Sequence, residues 1–329
     1  MRRKMKKEIQ PLSLDGIQTY SLGMRKSLVQ VKDFARPIPK HASFQDFIAS
    51  LPGFLAAKDL KEVVTQVVEA HEKGKPVILG MGAHPIKVGL NPLIIRLMEK
   101  GIVQAVAMNG AGIVHDFEIA YGGQTSEDVA AEIGTGSFGM ARETGQWVNE
   151  AIQKGWERGW GIGYSVGKMI AEKKLPYRHL SITAVGVRLG IPVTVHVAIG
   201  TDILHIHPQA CGQAIGGGSH QDFRLFAAMI SHLQGGVYIN LGSAVILPEV
   251  FLKALTLVRN LGHPVKKFTT VNMDFIPHYR PLTNVVRRPT FEGGKGFHLT
   301  GHHEIMFPLL TAAILERIKD GKGKRRKLV

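Results

Sequence analysis

Pro76-Val-Ile-Leu-Gly-Met-Gly-Ala-His84 decides the fold. A short, unbroken apolar run that ends in glycines reads as a strand buried on both faces, followed by a tight turn. The helical repeat of Leu60, Val63, Val64, Val67 and Val68 precedes it, and Leu93 to Lys100 follows as a helix closed by Gly101. Val103-Gln-Ala-Val-Ala-Met then makes a second strand, ending in Asn109-Gly-Ala-Gly. Strand, glycine turn, helix, strand is the rhythm of a βαβ unit.

Downstream the rhythm recurs. Helix 181–189 leads to strand 191–197 and Ala198-Ile-Gly-Thr-Asp202. Helix 222–233 leads to strand 236–241, and helix 248–261 to a strand from Phe268 ending near Asp274. Ile305 to Lys319 is a last helix. Five such strands predict an α/β fold: a doubly wound, mainly parallel Rossmann-like sheet with helices on both faces. Ligands of such sheets sit beyond the carboxyl ends of the strands. The expected organisation is an irregular N-terminal arm over 1–40, one domain over 41–320 and a basic tail over 321–329.

Composition narrows the function classes. The 44% hydrophobic content suits a globular core, and the 38 glycines cluster at 80–82, 110–112, 134–139 and 216–218, read here as loops. One cysteine, Cys211, excludes an intrachain disulfide framework and a four-cysteine zinc site. Five of the charges behind the net +15 lie in residues 2–7, and five more are Lys322, Lys324, Arg325, Arg326 and Lys327. Setting these ten aside leaves +5, so nucleic acid is expected to be held only weakly, through the tails. No secretory leader and no apolar run of membrane length is legible, and the expectation is a soluble cytoplasmic protein.

Gly134-Thr-Gly136-Ser-Phe-Gly139-Met-Ala141 fits a dinucleotide fingerprint in letters, but helical text precedes it where that motif needs a strand. The turns at 80–84, 109–112 and 200–202 are better placed. Asp202 and Asp274 follow strands, where a carboxylate can accept from ribose hydroxyls or simply cap a turn. His205 and His207 would share one face of a strand, a spacing open to a metal or to plain packing. Lys295, in Glu292-Gly-Gly-Lys-Gly-Phe, reads either as an ordinary surface lysine or as a nucleophile beside a ligand.

Together these turns resemble the deoxyhypusine synthases. Ile78-Leu-Gly-Met-Gly-Ala-His-Pro is similar to the family's first strand and its Leu-Gly-x-Thr-Ser-Asn turn. Asn109-Gly-Ala-Gly-Ile-Val-His-Asp resembles its Thr-Ala-Gly-Gly-Val-Glu-Glu-Asp, and Ile191-Pro-Val with Thr201-Asp202 its Ile-Pro-Val and Thr-Asp. Gly294-Lys295 resembles the Trp-Gly-Lys that carries the catalytic lysine, and Phe307-Pro-Leu-Leu its final helix.

The resemblance implies a homotetramer with NAD between subunits. It implies transfer of an aminoalkyl group from a polyamine, through a lysine imine, to an amine acceptor that can be a protein lysine. Cofactor roles carry to Ala83, His84, Asn109, Gly110, Ala111, Asp202, Asp274, His302 and His303, and the imine to Lys295. His115, His207 and Glu292 become substrate-binding candidates, and no metal is assigned. Where the family's carboxylates stand, this chain has Val114-His115 and His207. That exchange opens an alternative: another enzyme on the same scaffold, with His84, His115, His207, His302 and His303 around a metal or a non-polyamine substrate.

Overall fold

The computed structural model describes residues 9–318. Both basic clusters, at 2–7 and 322–327, lie outside the described residues, as do 1–8 and the expected tail. Six strands form one parallel sheet: β1 (Val77–Met81), β2 (Ala105–Asn109), β3 (Val193–His196), β4 (Val237–Leu241), β5 (Thr269–Asp274) and β6 (Lys295–Thr300). Their spatial order is β3-β2-β1-β4-β5-β6. This is a doubly wound Rossmann-like sheet, and its order reverses direction between β1 and β4.

The longer helices are α1 (Leu55–Glu72), α2 (Asn91–Glu99), α3 (Gly110–Gly122), α4 (Arg142–Glu157), α5 (Ile162–Glu172), α6 (Ile182–Leu189), α7 (Gly212–Ile230), α8 (Ile246–Asn260) and α9 (His303–Arg317). They cover both faces. α7 and α8 pack Phe226, Leu247 and Phe251 onto one side, with Phe251 stacked on Tyr238 at 3.9 Å. The other helices bury the larger cluster, built on Val64, Leu79, Ile113, Val166 and Phe307. Two faces covered by helices explain why β1, β4 and β5 are buried from end to end, β1 with apolar residues and glycine, β4 with Asn240 and β5 with Thr269, Thr270, Asn272 and Asp274 among the apolar ones.

Four expectations need correction, the first at 110–112, which opens helix α3 and is not a loop. The sheet has six strands, because 295–300 is an edge strand and not a glycine loop. Gly216–Gly218 lie inside α7, where Gly217 lets the helix approach the ring of Trp156; a Cβ there would sit 2.3 Å from it. Residues 203–206 form a single 3₁₀ turn, so His205 and His207 do not share a strand face. Residues 9–42 contain only two 3₁₀ turns and leave Leu12, Leu14, Met24 and Leu28 exposed. No helix among the described residues is long and apolar enough to cross a membrane.

Two buried carboxylates tie helices to this frame. Asp116 of α3 accepts from Ser181 Oγ, Ile182 N and Thr183 Oγ1 at 2.6–2.7 Å, fixing the start of α6. Asp222 of α7 accepts from Gly163 N and Val195 N at 3.0 and 2.9 Å, joining α5, α7 and β3. Burial raises the carboxyl pKa of both. Each replaces water with backbone amides that would otherwise be orphaned in the core.

Candidate functional site

In a sheet of this order the ligand crevice is expected beyond the carboxyl ends of the strands where the order reverses, here between β1 and β4. Gly82 and Gly242 meet there: Gly82 N donates to Leu241 O at 3.0 Å, and a Cβ on Gly82 would lie 2.3 Å from Gly242 O. Gly242 has φ +64°, and a Cβ on it would come within 2.8 Å of the His303 ring. The two strand ends thus meet backbone to backbone at the switch, with no room for a side chain on either glycine.

On the β2 side, the Asn109 side chain caps α3 by accepting from Gly112 N at 3.0 Å. Asp202 lies over the same helix start, accepting from Ala111 N, and burial raises its pKa. A Cβ on Gly110 would fall 2.0 Å from Asp202 Oδ2, so only glycine admits this carboxylate. His205 Nδ1 accepts from Gly200 N and Asp202 N at 3.1 and 3.3 Å, which fixes the turn carrying Asp202.

On the β5 and β6 side, rings gather. His84 and His303 are 5.3 Å apart between centroids, Phe275 lies 5.9 Å from each, and His302 stacks parallel to Phe275 at 6.2 Å. His303 is fully buried; its Nε2 donates to Met273 O at 3.3 Å and lies 3.8 Å from Asp274 Oδ1. Its Nδ1 is buried without a hydrogen-bond partner, and burial lowers the pKa of the ring. Behind them, Asn240 donates to Asn272 at 2.7 Å and Asn272 meets His298 at 3.0 Å, a polar ladder across β4, β5 and β6. Sequence reading missed Phe275 and this ladder; the asparagines of the two strands were the available signal.

Ala83, His84, Asn109, Gly110, Ala111, Asp202, Asp274, His302 and His303 therefore all lie at the carboxyl edge. The other candidates do not join them. His115 lies one turn beyond Ala111 on α3, its Nδ1 2.6 Å from Thr125 Oγ1, which donates to Glu118 at 2.5 Å. His207 is packed against Gly145 of α4 with Nε2 donating to Gly139 O at 2.8 Å. The five histidines thus fall into separate groups, and no cluster of three or more metal-ligating side chains occurs among the described residues.

Lys295 and Glu292 are corrections. Lys295 opens β6 beside Thr269, at the amino edge of the sheet, about 17 Å of strand from Thr300. Its ammonium pairs with Glu62 of α1 at 2.7 Å, and the Glu292 carboxylate pairs with Lys266 at 3.0 Å. The local glycines gave no hint of a partner 233 residues away. An exposed pair of this kind contributes under about 1 kcal/mol. Lys295→Ala is expected to shift the urea unfolding free energy by less than that; a larger loss would contradict an exposed pair.

No family model matches the sequence, and no curated protein matches it. Solved structures do. Unliganded AgrE superposes with a TM-score of 0.53 at 19% identity, over 78% of this chain and 32% of AgrE. AgrE in ternary complex with ornithine and NAD+ gives 0.52 at 16%, over 79% and 33%. An Entamoeba histolytica protein provisionally assigned as a deoxyhypusine synthase gives 0.52 at 14%, over 88% of this chain and 99% of that one. The chain thus spans about a third of the length of AgrE. At these identities the likeness is one of fold: a doubly wound, Rossmann-like α/β sheet.

Proposed function

We propose that the chain is an NAD-binding enzyme, with the dinucleotide lying across the carboxyl edge at the β1/β4 switch. The observation that carries this is the reversal of strand order between β1 and β4, where the close-packed Gly82 and Gly242 keep side chains out of the strand ends. Asp202 is the acceptor for a ribose hydroxyl, a role its position beyond β3 and over α3 suits. Phe275 and His302 offer a stacking surface for one of the rings. AgrE, a protein of the same fold, is known as a complex with ornithine and NAD+, which supports an amine or amino acid as the substrate class.

When bound, NAD supplies a hydride acceptor. This chain's residues hold the cofactor, exclude water around it and keep His303 Nδ1 as an unprotonated acceptor, since Nε2 carries the proton given to Met273 O. An imine on Lys295 is not part of this reading, because its ammonium is paired with Glu62 at the opposite edge.

Calorimetric titration with NAD+ tests the proposal. Wild type is expected to bind, and Asp202→Ala to bind roughly tenfold to a hundredfold more weakly, the range for one lost hydrogen bond to a charged group. Saturating NAD+ with no heat and no shift in melting temperature would sink it.

A further inference from the structure

A second cavity, of about 360 Å³, opens on the other side of the turn after β4, between α7, α8 and the end of β3. That volume is at the small end of ligand sites. Its walls are apolar, built from Val197, Ile215, Phe223, Val245, Ile246 and Val250. The few polar groups in the lining are mostly spent. Ser219 Oγ donates to Val195 O at 3.2 Å and accepts from Val197 N at 3.0 Å. The Glu249 carboxylate is shared among Lys253, Asn284 at 2.7 Å and Arg280 at 3.6 Å. No lysine or arginine lines the cavity.

His196, at the end of β3, is different. It is nearly wholly buried, and burial pushes its pKa down to about 3, so the ring is neutral. Thr194 Oγ1 donates to Val106 O at 3.5 Å and lies 3.0 Å from His196 Nε2. The Thr194 contact fits either tautomer, so the neutral ring offers its other nitrogen as an acceptor or as an N–H donor, and a hydroxyl group can serve both. His220 is the other histidine of the lining and is exposed; the remainder is an apolar wall with a buried neutral ring and no free carboxylate, lysine or arginine, which disfavours burying an ammonium or carboxylate group there.

We propose that this cavity binds an uncharged, short aliphatic molecule carrying one hydroxyl group, which pairs with the His196 ring. The site is independent of the dinucleotide reading and is testable without NAD.

Gly216 gives the test. It lies in the lining, inside α7, and a Cβ there would meet no atom within 4 Å. A side chain at Gly216 therefore starts without a clash at Cβ and improves helix propensity, and Gly216→Phe adds a ring large enough to obstruct the mouth. Methyl NMR of the full chain would follow Ile215, Ile246 and Val250 during titration with n-hexanol, its chain-matched ether methyl pentyl ether, n-hexylammonium and hexanoate. We expect n-hexanol to shift these methyls and saturate at about millimolar concentration, as so small a ligand allows. The ether and both ions should bind at least roughly tenfold more weakly, the equivalent of 1.4 kcal/mol. Gly216→Phe should abolish the shifts while melting at or above the wild-type temperature. Tighter binding of n-hexylammonium or hexanoate, parity of the ether, unchanged binding in Gly216→Phe, or no methyl shift with n-hexanol would each overturn the proposal.

Discussion

Asp222→Ala is expected to lower the unfolding free energy by about 3–5 kcal/mol, because it orphans backbone N–H groups that each cost about 1–3 kcal/mol when buried unpaired. The amides are those of Gly163 and Val195, with Ile162 beside them, and they hold the start of α5 and the middle of β3 to α7. The same carboxyl sets a pH dependence. Burial outweighs the three N–H contacts and raises its pKa from 3.8 to about 7. A group whose pKa is raised by folding contributes stability that is complete below its unfolded value and is lost as pH rises through its folded value. Wild type should therefore lose stability between about pH 4 and pH 7 relative to Asp222→Asn, which cannot ionise. Urea unfolding of both across that window would show it; parallel stability curves would contradict the assignment.

Gly82→Ala should lose at least about a hundredfold in NAD+ affinity, the equivalent of about 3 kcal/mol. Its Cβ would lie 2.3 Å from Gly242 O, which is backbone and cannot rotate away. The carboxyl ends of β1 and β4 must part, and the crevice is made of those ends. Gly134→Ala is the matched control: it belongs to the fingerprint-like glycines, yet a Cβ there meets nothing within 4 Å. Calorimetry on both variants decides between them. Retained binding in Gly82→Ala, or lost binding in Gly134→Ala, would move the site to the 134–141 loop.

Much of the frame was legible because β1 and β4 are buried along their whole length and are mostly apolar, which makes them stand out as short apolar runs. β6 was missed for the same physical reason. As an edge strand it buries little beyond Leu299, so Lys295-Gly-Phe-His-Leu-Thr carries no apolar run. α3 begins with two poor helix formers, Gly110 and Gly112, and is held by burying Ile113, Phe117 and Ala120. The strand-end residues of the site were found because the carboxyl edge follows from strand direction. Lys295 was misplaced because the loop reading put it near a ligand, whereas strand pairing beside Thr269 puts it at the amino edge. Asp222 had no signal: one aspartate in an amphipathic helix does not reveal amides 27 and 59 residues away.

The most direct test of the central claim is a crystal structure of the full chain grown with NAD+. The account predicts the dinucleotide across the carboxyl edge, its phosphates against Gly82 and Gly242, and a ribose hydroxyl within hydrogen-bond distance of Asp202. A cofactor bound at the amino edge beside Lys295, or a carboxyl edge left empty by NAD+ at saturation, would contradict it.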